Sequence, residues 1–493
     1  MEIAVVVIYS LALLMVFFYS IIQLDLLISY LKNKNQQDEQ KEINWKDHSQ
    51  IPYVTIQLPI YNEKYVVNRL IDRIAQLDYP SELLEIQILD DSTDDSKEQI
   101  DQQVEKYQSL GVDIKVIRRP VRENYKAGAL KYGLPKAKGD FIAIFDADFL
   151  PPKNWLKKAL PYFNDENTGV VQTRWAHLNR DHSLLTKIQA FALDFHFIIE
   201  QSGRNKAKHF INFNGTAGIW RKECILDAGN WHGDTLTEDL DLSYRAQMKK
   251  WQFKYVTSIE TPAEIPAVLS AARSQQFRWN KGAAENFKKN FSKLLLTKGV
   301  SWKTKFHAFF HLLNSSMFLI ILLIAVLSVP ILFIKANHPE LKYVFYALAG
   351  FVITTFIFLA CYWTSYAKIH GKSLKNFFKF IGMFIAFFSV AMGFSLHNTI
   401  AIVEGHLGKK SGFIRTPKFN IQQLGDSFKT NQYAKTKLNG IQILELLLFL
   451  YFSFALYAAF LVEDFGLFFF HLMLFFGYGF VSIKSIFQSF GRP

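Results

Sequence analysis

Apolar residues are unevenly spread along this chain. Residues 3–22 carry no charge, and 23–31 continue apolar except for Asp25. A run of that length spans a hydrocarbon core of about 30 Å as a helix. It lacks the basic start and small-residue cleavage site of a secretory signal, so 1–31 is expected to be a membrane helix. From 32 to about 300 the pattern turns globular. Short β-branched runs at 53–59, 85–90, 112–118 and 140–146 read as strands, and 64–77, 95–109 and 124–137 read as helices. Beyond 300 come five apolar segments, about 313–334, 343–364, 377–402, 441–462 and 465–487.

Three successive β-α units imply a parallel α/β sheet with helices on both faces. Ligands in such sheets bind at the carboxyl ends of the strands. Within 279–295, Trp279, Phe287, Phe291, Leu294 and Leu295 recur near helical spacing with Lys281, Lys288, Lys289 and Lys293 between them. That pattern predicts a basic amphipathic helix near 279–298 lying on the membrane surface.

Loop charge orients the membrane segments, because basic residues mark the cytoplasmic side. Glu2 precedes the first segment, whereas Lys32, Lys34 and Lys41 follow it, which places 32–300 in the cytoplasm. The loop at 463–464 holds Glu463 and Asp464 and suits the outside. The loops on either side of 377–402 are both basic, with Lys368, Lys372 and Lys375 before it and Lys409, Lys410, Arg415 and Lys418 after it. That segment is therefore expected not to cross, leaving about four spans for the C-terminal region 301–493.

Composition agrees with this division. Of 493 residues, half are hydrophobic, 16% aromatic and 20% charged, below the roughly 25% charged of soluble domains. Disorder, collagen and small secreted scaffolds are excluded. Cys224 and Cys361 cannot make a disulfide framework or a cysteine zinc site. His196, His209 and His232 show no metal spacing, and Gly128 and Gly133 lack a phosphate-loop context. The net charge of +13 gathers beside membrane segments. It points to the lipid bilayer as a partner, not to nucleic acid.

Two acidic clusters stand at strand ends. The first is Asp90-Asp91-Ser92-Thr93-Asp94-Asp95, which also suits a helix cap. The second is Asp146-Ala147-Asp148. Residues i and i+2 of an extended segment point the same way, and two carboxylates that close need a cation between them. The pair therefore suggests a divalent metal holding a diphosphate.

In sequence order stand Leu58-Pro59-Ile60-Tyr61-Asn62-Glu63, Asp90-Asp91-Ser92, Tyr125-Lys126-Ala127-Gly128, Asp146-Ala147-Asp148, Asn214-Gly215-Thr216, Thr237-Glu238-Asp239 and Gln275-Gln276-Phe277-Arg278-Trp279. This order resembles glycosyltransferase family 2, and the last two motifs resemble those of cellulose synthases. Among these, the chain is most similar to the cellulose-synthase-like A and C proteins that make mannan and glucan. The resemblance implies a GT-A (Rossmann-like) fold and a Mg2+ or Mn2+ cofactor. It implies transfer from UDP-glucose or GDP-mannose to a β-linked polysaccharide that leaves through the protein's own helices.

The same resemblance assigns roles. Tyr61, Glu63, Asp90 and Asp91 would line the nucleoside pocket. Lys126, Asp146, Gln275 and Arg278 would meet the diphosphate side of the donor, and Asp146 with Asp148 would hold the metal. Asp239, within Thr237-Glu238-Asp239, would be the general base, although that motif also suits a helix cap. Trp279, Asn214 and Gly215 would serve the acceptor. Residues 411–420, including Phe413-Ile414-Arg415-Thr416-Pro417-Lys418, resemble the gating loop of cellulose synthases, with Thr416 and Lys418 closing on the donor.

The chain departs from bacterial cellulose synthases in having fewer spans, and no cyclic-di-GMP-binding barrel is expected beyond Pro493. A glycolipid synthase adding one sugar to a ceramide or diacylglycerol is the alternative reading. A non-catalytic export scaffold fits poorly with so complete a set of motifs. The expected location is the bacterial plasma membrane, or the Golgi membrane in a eukaryote.

Overall fold

The computed structural model describes residues 1–36, 40–412, 415–418, 420 and 440–489. Seven strands form one sheet: β1 (Val54–Ile60), β2 (Leu84–Asp90), β3 (Ile114–Ile117), β4 (Phe141–Ile144), β5 (Thr168–His177), β6 (Gly218–Arg221) and β7 (Gln252–Ala263). Their order is β3-β2-β1-β4-β6-β5-β7. The expected β-α units build the parallel half, β3-β2-β1-β4. β6 runs antiparallel to both β4 and β5, and β7 is parallel to β5.

Strand β4 shows how the sequence makes two cores. Ile142 and Ile144 pack with Leu130 and Trp220 on one face, while Ala143 and Phe145 pack with Ile56 and Trp155 on the other. A strand covered on both sides reads as a continuous apolar run. β4 stops short of the expected 146 because the Asp146 N–H donates to Thr216 Oγ1, 2.9 Å away, and leaves the ladder. The side chains beyond that point are free to face a cleft.

Six helices among the described residues are long and apolar enough to cross a membrane: Glu2–Asn33, Trp302–Asn337, Pro339–His370, Leu374–Gly393, Gly440–Leu461 and Phe468–Phe487. Asp25, the one acid of the first beyond its opening Glu2, is met by Lys303 Nζ at 3.1 Å and His307 Nε2 at 3.0 Å. The segment expected at 377–402 is two helices, Leu374–Gly393 and Ser395–Leu407. A Cβ at Gly393 would fall 2.4 Å from the Gly477 carbonyl oxygen, so two helices touch here backbone to backbone. Small residues permit that approach between apolar helices.

The helix expected near 279–298 is the second half of Leu269–Leu296. Much of its expected membrane face is covered by protein. Phe287 stacks on Phe291 at 5.0 Å and both pack against Phe309. Leu294 is buried with Leu240, Tyr244 and Leu312. Two of its lysines are also engaged. Lys281 is fully buried, 3.1 Å from Glu404, and Lys289 lies 3.0 Å from Asp241. Only the end of the helix, at Leu295 and Leu296, offers exposed apolar surface.

Candidate active site

A cleft of about 190 Å³ opens at the carboxyl ends of β1, β2 and β4. Asp146 and Asp148 follow β4 and both line it. Lys126, in the first turn of the helix Tyr125–Gly133, donates to Asp146 Oδ1 and, at 2.8 Å, to the Gly215 carbonyl. On the other carboxylate, Lys418 Nζ donates to Asp148 Oδ2 at 2.7 Å. Burial works against both lysines, but the neighbouring carboxylates outweigh it and hold both above their usual range. Two hard carboxylates that each attract a cation fit a Mg2+ or Mn2+ ion, which takes oxygen ligands and the phosphates of a substrate.

One end of the cleft is built after β1, β2 and β3. Asp91 receives Arg119 through Nε at 2.8 Å and NH2 at 2.6 Å, a bidentate pairing that fixes the carboxylate. The Arg122 guanidinium lies 3.5 Å from the centroid of the Tyr61 ring. Tyr61, Glu63, Asp91 and Arg122 line the cleft; Asp90 does not. As the last residue of β2, Asp90 is 2% exposed and accepts from Arg118 Nε at 2.7 Å and the Ser92 N–H at 2.9 Å. Its role is to hold the loop, a correction to its expected place among the donor contacts.

Opposite lies Thr237-Glu238-Asp239 at the start of the helix Glu238–Met248. Thr237 Oγ1 accepts from Asn286 Nδ2 at 2.9 Å, and a Cβ at Gly282 would fall 2.6 Å from the Thr237 side chain. The motif is thus pinned onto the helix Leu269–Leu296, with Thr237 as its fastening point. Burial, then the adjacent Glu238, pushes Asp239 up to about 7 against the pull of Lys126. Burial likewise raises Glu238. Gly215 sits at φ +77°, and a Cβ there would lie 3.1 Å from Asp239 Oδ2, so only glycine leaves that oxygen open.

Gln275, Arg278 and Trp279 reach the same cleft from Leu269–Leu296. Arg278 NH2 donates to Thr416 Oγ1 at 2.6 Å. Asn214 is held by Gln172, which accepts its N–H at 3.0 Å, and by Gln201 and Asn212, which donate to its Oδ1. Of the expected gating loop, Phe413, Ile414 and Asn420's neighbours 419 and 421 onward lie outside the described residues. Its described part closes on the cleft. Arg415 NH1 lies 2.6 Å from Glu63 Oε2, beside Thr416 on Arg278 and Lys418 on Asp148. Burial pushes Glu63 up to about 7 in spite of Arg415 and Lys418.

Several lining residues escaped the sequence reading. Arg122 stands just past β3, with Arg119 behind it on Asp91, and Glu264 stands just past β7, where it is 5% exposed and lines the cleft. All three obey the strand-end rule that found Asp91 and Asp146. His177, at the end of β5, is a fourth.

Residues 52–282 match the family described as glycosyltransferase-like family 2. The rice protein named "Probable glucomannan 4-beta-mannosyltransferase 4" (Oryza sativa subsp. japonica) is 41% identical over 288 residues, 57% of this chain and 52% of its own. Glucomannan 4-beta-mannosyltransferase 9 of Arabidopsis thaliana is 40% identical over 268 residues, 53% of this chain and 50% of its own. The chain spans about half the length of the curated relatives it matches. The mannosyltransferase PcManGT from Pyrobaculum calidifontis, solved with GDP-Man and Mn2+, superposes with a TM-score of 0.52 at 19% identity, covering 82% of this chain and 100% of that one. This likeness establishes the GT-A-like fold of the sheet. That family match, residues 52–282, takes in all seven strands of the sheet and the cleft residues from Pro59 to Trp279, while Arg415, Thr416 and Lys418 come from beyond it.

Proposed function

We propose that this chain is a membrane-embedded inverting hexosyltransferase that moves mannose from GDP-mannose onto a growing β-linked mannan or glucomannan. The names of the matched relatives and the ligand of the PcManGT structure favour this donor over UDP-glucose. The observation that carries the reading is Asp239. It is a carboxylate raised towards neutrality, with no ion-pair partner among the described residues, sharing one cleft with the Asp146 and Asp148 pair.

The chemistry follows from that placement. The acceptor hydroxyl gives its proton to Asp239 as its oxygen bonds the anomeric carbon, while the bond to the diphosphate breaks on the opposite side. A carboxylate titrating near working pH suits this general-base step. Lys126, Arg278 and Lys418 neutralise charge growing on the leaving diphosphate, in a site where preorganised cations act strongly. Asp146 and Asp148 would hold Mg2+ or Mn2+, which when bound adds positive charge at the diphosphate. Tyr61, Arg122 and Asp91 cradle the nucleoside, with Glu63 and Gln275 beside it. Trp279 offers an apolar face to the acceptor sugar, and Asn214 and Gly215 form the floor beside the base.

In this reading the sheet lies in the cytoplasm and residues 415–418 close over the donor. The polysaccharide leaves among the apolar helices, across a bacterial plasma membrane or a Golgi membrane. Purified chain in nanodiscs is to be offered GDP-mannose and UDP-glucose with Mn2+, with nucleoside diphosphate release and product linkage measured. GDP release with 4-linked mannose polymer is expected. UDP-glucose turnover alone, or a product that is wholly chloroform-soluble, overturns the proposal.

A further inference from the structure

A second cavity, of about 600 Å³, lies away from the cleft, where the helix Ile353–His370 ends and Leu374–Gly393 begins. Its rim carries Lys187, His370 and Lys379, and Phe191, Met383 and Ala386 also line it. Both helices belong to candidate membrane spans, Pro339–His370 and Leu374–Gly393. The cavity therefore sits where apolar helix surface gives way to charge.

The cations of this corner are unbalanced. Lys368, Lys372, Lys375 and Lys379 are exposed and have no ion-pair partner among the described residues. The nearby acids are committed elsewhere. Asp194 takes both arms of Arg180, at 2.5 and 3.0 Å, and Asp181 lies 3.8 Å from Lys187. Several like charges on one corner attract a counter-anion. Beside them, Leu374 is 73% exposed and Phe378 67%. A small soluble anion would satisfy the lysines and leave that apolar surface in water. A molecule with an anionic head and an apolar tail satisfies both, the two-signal logic of membrane-surface binding.

We propose that this cavity binds an anionic phospholipid from the leaflet on the catalytic side. Its phosphate lies between Lys375 and Lys379, and an acyl chain runs along Phe378 and Leu374. The site also touches the catalytic cleft. Asp194, in the cavity wall, lies 3.3 Å from His177 Nε2, and His177 lines the cleft. The bound lipid thus stands at the half-buried Arg180 end of a chain, Arg180–Asp194–His177, whose other end lines the cleft.

The test uses the full chain in phosphatidylcholine nanodiscs doped with phosphatidylglycerol, with retained lipid counted by native mass spectrometry. Retention of phosphatidylglycerol above its bulk share is expected. Lys375→Gln and Lys379→Gln should each weaken it about fivefold, the equivalent of roughly 1 kcal/mol per basic residue near a lipid surface. Gly382→Phe supplies a variant that keeps every charge. Gly382 lines the cavity, and a Cβ there meets nothing within 4 Å, so the ring fills the space without a clash at its root. It should lower retention as well. Lipids retained in their bulk ratio, wild-type retention in all three variants, or equal displacement by inorganic phosphate would each overturn the site.

Discussion

Lys418 Nζ donates to Asp148 Oδ2 at 2.7 Å, joining two residues 270 positions apart. One stands at a strand end of the sheet, the other in the segment that returns from the membrane helices. The contact makes the far C-terminal part of the chain a wall of the cleft. It also gives the cleft a cation from outside the sheet.

Removing that cation is expected to slow turnover. Lys418→Met should lower kcat by about a hundredfold, the usual scale for one preorganised charge-stabilising donor. Thermal stability should stay near wild type. A rise in KM for the donor with kcat unchanged would show that Lys418 only captures substrate.

Asp239→Asn should reduce kcat/KM by about 10²–10⁴-fold, the range for loss of general-base catalysis. In the proposed mechanism the base works deprotonated, and burial raises the Asp239 pKa to about 7. Activity of the wild type should therefore climb as pH rises through about 7 and level off above it. The Asn variant's residual activity should lack that limb. Retention of the limb in Asp239→Asn would assign it to another group.

Gly215→Ala tests the open oxygen of the base. At φ +77° alanine is strained, and its methyl would press on Asp239 Oδ2 from 3.1 Å. A stability loss of about 1 kcal/mol is expected, read by thermal unfolding in detergent. The fall in kcat should be much larger than that loss explains.

Arg273 NH2 meets Glu445 Oε2 at 2.6 Å and Ser485 Oγ at 3.1 Å, all buried. Breaking a buried pair by removing one partner costs about 3–5 kcal/mol, whereas replacing both is often neutral. Arg273→Met or Glu445→Leu alone should lower the unfolding temperature, and the double variant should recover most of it. Additive losses would exclude a pairwise role.

Chelation supplies a separate check on the carboxylate pair. EDTA should abolish transfer, and Mn2+ or Mg2+ should restore it, in wild type but not in Asp148→Asn. Full activity in EDTA would remove the metal from the scheme.

The parallel half of the sheet was legible in the sequence because β1 and β2 alternate apolar and polar positions, β4 is apolar on both faces, and β2 and β4 run into carboxylates. Asp91, Asp146 and Asp239 were found by those strand ends and by their motifs. Asp90 was misplaced because consecutive residues leave a strand on opposite sides, and neighbouring letters do not say which side faces the cleft. Arg119 and Arg122 were missed for a related reason. Basic residues after a strand read as solvated until Asp91 and Tyr61 are placed beside them. The lysines of 279–298 read as a membrane-facing charge pattern. The acidic partners of Lys281 and Lys289, Glu404 and Asp241, lie on other helices, and no local pattern announces a partner 123 residues away.

The helix Leu269–Leu296 is 28 residues long, which at 1.5 Å per residue is roughly 42 Å. Arg273 ties one end to Glu445 among the apolar helices, while Asn286 and Lys289 fasten the other to the strand-side acidic helix. Gln275, Arg278 and Trp279 sit between those moorings. The arrangement is an axle. A shift among the apolar helices at the Arg273 end is carried along the helix to the indole and guanidinium that line the cleft, so the packing of those helices is a mechanical input to the site.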